Sequence, residues 1–600
     1  MEKPMAKSSL LDILFSKDEA GIGLDSDEGF FAKEFSIAIT KNMKRILTRG
    51  FFKFAKNVSY LLAHVSAKSY GLAILTFGLI STLMYFLGLS NDGGIATPII
   101  GVAFALIAIP FLLTDKPIPI MLQDFEPTDY LFFEFFCMKR HTVLEGERRI
   151  SPFLTVLIGA IPAVLSAFIP LWMVATLIGI IICIYIGIES PEFLFMSSIA
   201  FLPYMCLVPN SENILGATLI LIVISFAVKF LYGKRVLYIE QYDIFIIAML
   251  LFVLISGIFV KGLESFSGSV RMIVLAVGYP MAGNLITNRR LADRVANTVI
   301  IPGAVAGIIS VVQLITVIVE DYGELNMSHL DFILARQDGL AVCLIASVIF
   351  AVGMIKQSGL FARVIYILSA FASTLALIIS GEIFAVIAVV LCIAAYSLIK
   401  GNRLIWVLLP VMLLLPLTVL LLPNHVLDLL FAYSPSISSA EELFSLWRHS
   451  LEVFLNNIFV GIGIGKESFV TEMGNLGVHG YPDSSNLFIE LGLEAGVFAL
   501  ICLLLVLITR LRHRSLRYLY VRNSQIETLA AISGAALFCL LAFGMVNYIW
   551  SSTSAYYLFW CIFGMGSATL RVAKRDYDDK VLYYEETGDS DSSVIDIEIS

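Results

Sequence analysis

Long apolar runs separated by short polar breaks recur along the chain after residue 69. They fall at about 70–89, 95–113, 152–168, 170–188, 193–209, 214–231, 242–260, 270–286, 297–319, 339–355, 364–380, 383–399, 404–422, 496–509, 526–546 and 554–570. A bilayer core of roughly 30 Å takes about 20 apolar residues of helix, and lipid offers the backbone no hydrogen-bond partners, so runs of this length predict helices rather than strands. The predicted fold is all-α: a polytopic helical membrane protein with about sixteen transmembrane helices. The longest polar interruption between runs, 423–495, predicts one larger exterior loop bearing short helices.

Charge supports the count. With the N-terminus in the cytoplasm, the inner loops hold all but five of the 40 Lys and Arg residues, and only Lys261, Arg271, Arg336, Arg448 and Lys466 fall outside. Lys and Arg gather on the cytoplasmic side of membrane proteins, and one wrong span would swap the side of every later loop. The expectation is therefore a multi-pass protein of the cytoplasmic (cell) membrane with both termini cytoplasmic and 423–495 exterior. Four segments follow: a basic cytoplasmic tail, 1–68; additional N-terminal transmembrane helices, 69–190, with a cytoplasmic loop at 114–151; a transmembrane core, 191–575; and an acidic, disordered cytoplasmic tail, 576–600. Within the first tail, residues 35–63 mix Lys and Arg with Phe, Ile and Leu at loosely helical spacing. That pattern fits either a helix on an anionic inner leaflet or a solvated tail.

Composition then excludes the soluble classes. The 600 residues are 58% hydrophobic and 15% charged, with mean hydropathy +0.88, too little polar surface to cover a soluble molecule. No secretory leader is expected from the mixed, basic opening residues. Seven of the eight cysteines lie in or at apolar runs and Cys137 lies in a basic loop, without CxxC spacing; neither a disulfide framework, nor a metal, nor a cofactor is expected. A net charge of -8 gives no reason to expect nucleic acid.

Candidate chemistry gathers in the 423–495 stretch. From Ala440 to Asn457 the spacing predicts a short helix, with Leu443, Leu446, Trp447, Leu451, Val453 and Phe454 apolar and Arg448 and Glu452 sharing another side. Arg448 is either a surface ion-pair partner or a guanidinium kept for a phosphate or diphosphate, which its planar fork of donors suits. Arg336 stands at the mouth of the run near Leu340, with Asp331 and Asp338 close in sequence. The GIGIG stretch (Gly461, Gly463, Gly465) has no preceding strand and is not a dinucleotide fingerprint; it predicts a tight turn whose amides, with Lys466, offer anion contacts. His479, with Asp483 four residues on, is either solvated or a proton acceptor. His449 is a weaker candidate, and His329 and His425 have no evident company.

The order of an Arg beside a Trp, a short helix and a G-x-G turn (WRHSLEVFLNNIFVGIGIGKESF), then SNLFIELGLEAGV and three last spans, resembles the O-antigen ligase and O-antigen polymerase superfamily over roughly residues 190–575. The resemblance implies a metal-independent GT-C glycosyltransferase that moves glycan from an undecaprenyl diphosphate carrier to an acceptor on the outer side of the membrane. It makes Arg448 the Arg before the turn, Gly461 and Gly463 the turn's glycines, Asn486, Glu494 and Gly496 the later Asn, Glu and Gly of the family signature, and Arg336 the exterior Arg before a mid-chain span. On this reading Arg448, Arg336, Gly461, Gly463 and Asn486, with Lys466 beside the turn, bind the diphosphate, and Glu490, Glu494 or His479 orients or deprotonates the acceptor. Three departures stand out. The signature histidine falls on Ser485, the usual Ser-Arg pair reads Ser380, Gly381, Glu382, and the Asn-Pro-Asn often found after the Arg near 336 is absent. Either His479 takes over the histidine's role, or the chemistry does not need that base, or the protein no longer catalyses.

The function expected is ligase or polymerase in cell-surface polysaccharide biosynthesis, with a polyisoprenoid-diphosphate-linked glycan, an acceptor glycan or lipid, and membrane lipids as partners. The rival readings are a transporter or flippase for a lipid-linked or anionic solute, and a non-catalytic relative of the transferases.

Overall fold

The computed structural model describes residues 65–88, 96–130, 132, 151–165, 168, 187, 190–231, 235, 237–260, 263–320, 334, 339–355, 358–398, 440–516 and 526–587. Its main helices are α1 (Ala67–Phe86), α2 (Ala96–Leu112), α3 (Pro152–Leu165), α4 (Pro191–Phe201), α5 (Ser211–Leu231), α6 (Asp243–Phe259), α7 (Leu263–Ala276), α8 (Gly278–Leu285), α9 (Arg289–Glu320), α10 (Leu340–Met354), α11 (Leu360–Ile379), α12 (Ile383–Leu398), α13 (Ala440–Asn456), α14 (Lys466–Asn475), α15 (Leu487–Leu516), α16 (Glu527–Gly544) and α17 (Thr553–Thr587). Among the described residues there is no strand, only an isolated bridge between Ser66 and Pro117.

Six helical stretches are long and apolar enough to cross a membrane: Ala67–Phe86, Ser211–Phe230, Arg289–Val317, Leu360–Ile379, Leu487–His513 and Glu527–Gly544. Shorter apolar helices lie at Pro98–Leu112, Pro152–Leu165, Pro191–Leu207, Asp243–Phe259, Leu340–Met354 and Ile383–Ala394. The protein is thus an all-helical membrane protein with six full-length candidate spans among the described residues, where the sequence predicts about sixteen. Part of the difference is local. The run at 193–209 passes into a 3-10 helix at Leu202–Leu207, with Pro203 at its start, where proline supplies no N–H. The run at 270–286 divides at Val277 between α7 and α8. The run at 404–422 and nearly all of 170–188 lie outside the described residues.

Two compact units make up the chain. The first comprises Lys33–Leu194 and Leu221–Val236. Here α1 packs on α2 through small residues: a Cβ placed on Gly78 would lie 2.5 Å from the Gly101 carbonyl oxygen. Lipid gives apolar side chains no reason to leave it, so close backbone approach at small residues is how membrane helices gain packing energy. Phe77 and Phe104 fill the adjoining space edge to face, with centroids 5.1 Å apart.

The second unit comprises Met1–Ala32, Phe195–Ile220 and Leu237–Ser600. Its centre is α17, buried continuously from Thr553 to Leu570 and rich in enclosed rings, Tyr556, Tyr557, Phe559, Trp560 and Phe563 among them. The outer helices reverse the polarity of a soluble protein. On α11, Ser369, Ser373 and Ala376 face inward, while Leu368, Phe371 and Ile378 are exposed. Ser373 meets Ser347 at 2.9 Å, and the Ser347 hydroxyl donates to the Ile300 carbonyl at 3.0 Å. Such contacts satisfy hydroxyls that lipid cannot.

Helix α15 runs between two polar clusters. Toward its C-terminal end Arg510 donates to the Tyr242 hydroxyl (2.7 Å) and to Ser567 Oγ (2.8 Å), and His513 meets Glu240 at 3.2 Å. At a rise of about 1.5 Å per residue, its N-terminal end is some tens of ångströms away. There the candidate site lies.

Candidate functional site

The N-terminus of α15 is built by Asn486. Its Oδ1 accepts the amides of Phe488 (3.0 Å) and Ile489 (3.1 Å), the arrangement of an N-cap that satisfies orphan donors at a helix start. Its Nδ2 donates to the Met545 carbonyl at 2.7 Å, fastening this start to the turn after α16. Asn486 is thereby committed to structure. Just before it, the Ser485 amide donates to Asp483 Oδ1 at 2.9 Å, and Ser485 has φ +50. The residue in the signature histidine's place is thus a half-buried turn residue.

Two carboxylates one helical turn apart follow on α15. Glu490 and Glu494 are both buried. Glu490 accepts the Ser484 amide at 2.7 Å. Glu494 is clamped more heavily: Oε2 accepts the Tyr548 hydroxyl at 2.6 Å and Oε1 accepts the Gly465 amide at 3.2 Å. Burial pushes the Tyr548 phenol well above its ordinary value, and the Glu494, Glu490 and Asp483 carboxylates push it the same way. Tyr548 therefore stays protonated and acts as a donor.

The helix breaks at Gly496 (φ 80, ψ 174), and the G-x-G turn explains how the break is tolerated. The amide of Val497 donates to Ile458 O at 2.8 Å, while the Ile462 amide donates to Leu493 O (2.8 Å) and the Gly463 amide to Glu494 O (3.2 Å). Backbone groups freed by the kink are thus satisfied by residues 458–463, as a membrane-embedded break requires. Gly461 donates to Asn457 O at 2.9 Å, and Ile464 donates to Ser265 Oγ at 3.0 Å. From Gly461 to Gly465 every amide is engaged inside the protein. The sequence predicts that these N–H groups are open to an anion; the structure spends them on the kink. Lys466, exposed at the start of α14, remains available.

Helix α13 has three faces. Leu443, Leu446, Ser450 and Val453 are buried; Glu441, Ser445, Arg448, Glu452 and Asn456 are exposed; and Leu451 and Leu455 form an exposed apolar flank. Phe454 packs toward Gly492 of α15, and the Tyr481 hydroxyl donates to Glu442. The neighbouring Glu442 helps push the Tyr481 phenol up to about 12, after burial as the larger cause. Arg448 forms no ion pair with Glu452 and is exposed.

The structure therefore joins Glu490, Glu494 and Asn486 with the glycine turn and leaves Arg448 and His479 outside that cluster. His479 is exposed and stands over Gly474. Arg336 lies outside the described residues, so its expected meeting with Arg448 does too. Sequence reasoning missed Tyr548, which carries no motif and arrives from a different loop. Glu382, in place of the family's cation, accepts from Asn547 Nδ2 at 3.4 Å. Among the described residues no three His, Cys, Asp or Glu side chains converge as metal ligands would.

Comparison with curated proteins gives no match. Residues 368–504 match the family model described as O-antigen ligase, a segment that includes α13, the glycine turn, both glutamates and the kink. Over that segment the chain is similar to the O-antigen ligase family, which supports a resemblance to the O-antigen ligase and polymerase superfamily.

Proposed function

We propose that the protein is a membrane glycosyltransferase of the ligase or polymerase type, acting at the exterior face in cell-surface polysaccharide assembly. The donor is a glycan on a polyisoprenoid diphosphate, and the acceptor is a hydroxyl of a second glycan or a lipid. The acceptor oxygen bonds to the anomeric carbon as the bond from that carbon to the diphosphate oxygen breaks. The electron pair leaves with the diphosphate, and the acceptor proton passes to a carboxylate. Because the leaving group is already good, the protein's work is alignment and charge stabilisation.

The observation that carries this reading is the unequal commitment of the two buried glutamates. Glu494 is held by Tyr548 and Gly465, whereas among the described residues Glu490 accepts a hydrogen bond from Ser484. Glu490 is therefore the proton acceptor, and Glu494 fixes the frame around it. Arg448 and Lys466, both exposed, offer cations to the phosphates. The lipid-like flank of Leu451 and Leu455 beside Arg448 suits a helix at the water–lipid boundary.

Transfer from a lipid-linked donor in membranes tests it. Glu490→Gln, which keeps size and loses the base, should lower the transfer rate at least about 100-fold, the span general-base catalysis contributes. Unchanged transfer removes Glu490 from the mechanism. Arg448→Ala should raise KM more than it lowers kcat.

A further inference from the structure

The break at Gly496 turns the start of α15 into a short arm. Residues 487–495 precede the break, about 14 Å of helix at a rise of about 1.5 Å per residue, and Glu490 stands near the middle. One end of the arm is fastened by Asn486, whose Nδ2 donates to the Met545 carbonyl at 2.7 Å. The other end is the joint itself. Glycine is the residue that least resists rotation of the backbone, so the angle of the arm is set by what touches the joint.

The glycine turn supports the joint through main-chain bonds, the Gly463 amide to Glu494 O at 3.2 Å among them. A further support comes from α6, outside the matched residues 368–504. Ser256, fully buried on α6, donates its hydroxyl to the same Glu494 carbonyl at 2.5 Å. In an unbroken helix that carbonyl would accept the amide four residues on; here it is shared by Gly463 and Ser256. Beyond α6, Ser265 of α7 accepts the Ile464 amide at 3.0 Å. The hairpin of α6 and α7 therefore holds the junction twice, at a carbonyl of the broken helix and at an amide of the glycine turn.

We propose that Ser256 is a positioning residue: its hydroxyl fixes the arm at Gly496 and so sets the distance from the Glu490 carboxylate to the acceptor hydroxyl. This rests on the transferase reading with Glu490 as proton acceptor, and it extends the machinery to a helix outside the matched segment. A misplacement of about 1 Å costs about 100-fold in rate. Loss of the bond is thus read in kcat, while binding of the donor is spared.

Transfer from a lipid-diphosphate donor by the full chain in detergent tests it, with kcat and KM measured separately and the unfolding midpoint recorded for each variant. Ser256→Ala should lower kcat at least about tenfold and leave KM for the donor within about twofold. Ser347→Ala is the control, because Ser347 is equally buried and also donates to a carbonyl of a neighbouring helix, that of Ile300, at 3.0 Å. It should keep kcat within about twofold at a similar shift in midpoint. Equal losses of kcat in the two variants would make Ser256 a structural hydroxyl and overturn the proposal. So would a Ser256→Ala protein with wild-type kcat while Glu490→Gln is inactive, a result that leaves the transferase reading intact. Should Ser256→Ala fail to fold, Ser256→Cys, close in size and a weak donor, replaces it with the same expected ranking against Ser347→Ala. A wild type that forms no glycosidic bond, or a fully active Glu490→Gln protein, removes the transferase reading and the proposal with it.

Discussion

Tyr548 and Glu494 stand 54 positions apart in the chain and meet in a hydrogen bond of 2.6 Å. The bond ties the turn after α16 to the kinked helix α15. Tyr548→Phe removes the donor and leaves a buried carboxylate oxygen short of a partner, at a cost of about 1.5–3 kcal/mol. The thermal unfolding midpoint of the detergent-solubilised protein should fall. Tyr481→Phe, which loses a more exposed bond to Glu442, should shift it less.

The kink makes a second prediction. A Cβ on Gly461 would lie 2.5 Å from the carbonyl oxygens of both Leu493 and Glu494, and its φ is +80. Gly461→Ala therefore crowds the backbone that repairs the break and should cost more than about 1 kcal/mol. Gly474, inside α14, has only His479 near its missing Cβ, at 3.6 Å. Gly474→Ala should be neutral or stabilising by up to about 1 kcal/mol. Equal losses at the two positions in chemical or thermal unfolding would contradict this account of the turn.

Glu264 and Glu467 give the structure a pH dependence. The Glu467 carboxyl, first by hydrogen bonding to Glu264, raises the Glu264 carboxyl above its usual value. A folded-state value raised above the unfolded one contributes stability that is fully present below the ordinary carboxyl range, near 4.5, and is lost as pH rises through the raised value. The wild-type unfolding midpoint should therefore decline across that window, and Glu467→Gln should flatten the decline. A midpoint that rises there, with no difference between the two proteins, would show that the carboxyls do not share a proton.

His479 and Glu490 compete for the role of base. The exposed imidazole should be dispensable: His479→Ala should retain transfer within about threefold, while Glu490→Gln loses it at a scale typical of general-base removal. The reverse ranking, read from initial transfer rates, would return the role to His479.

Much of the fold was legible because lipid imposes a simple rule on sequence: apolar runs such as 364–380 and 526–546 emerge as α11 and α16. Lengths were harder to read. Helix α15 begins at Leu487, nine residues before its apolar run, because Asn486 caps it and the glycine turn repairs the break at Gly496. Hydropathy sees neither effect. In the site, the family resemblance points to Asn486 and Glu494, and Glu490 lies one turn before Glu494 on the same helix. The resemblance does not mark Tyr548, which reaches Glu494 only through tertiary packing. The sequence marks the glycine turn but not the partners of its amides, because these are in part carbonyls of a helix whose break at Gly496 the pattern does not show.

The most direct measurement of the central claim follows a label on the glycan of a lipid-diphosphate donor in sealed liposomes carrying the full chain, scoring covalent attachment and passage across the bilayer together. The account predicts that label becomes bonded to the acceptor without net passage of donor, and that Glu490→Gln abolishes the bonding. Label that crosses the bilayer while no glycosidic bond forms would contradict it and assign the protein to transport.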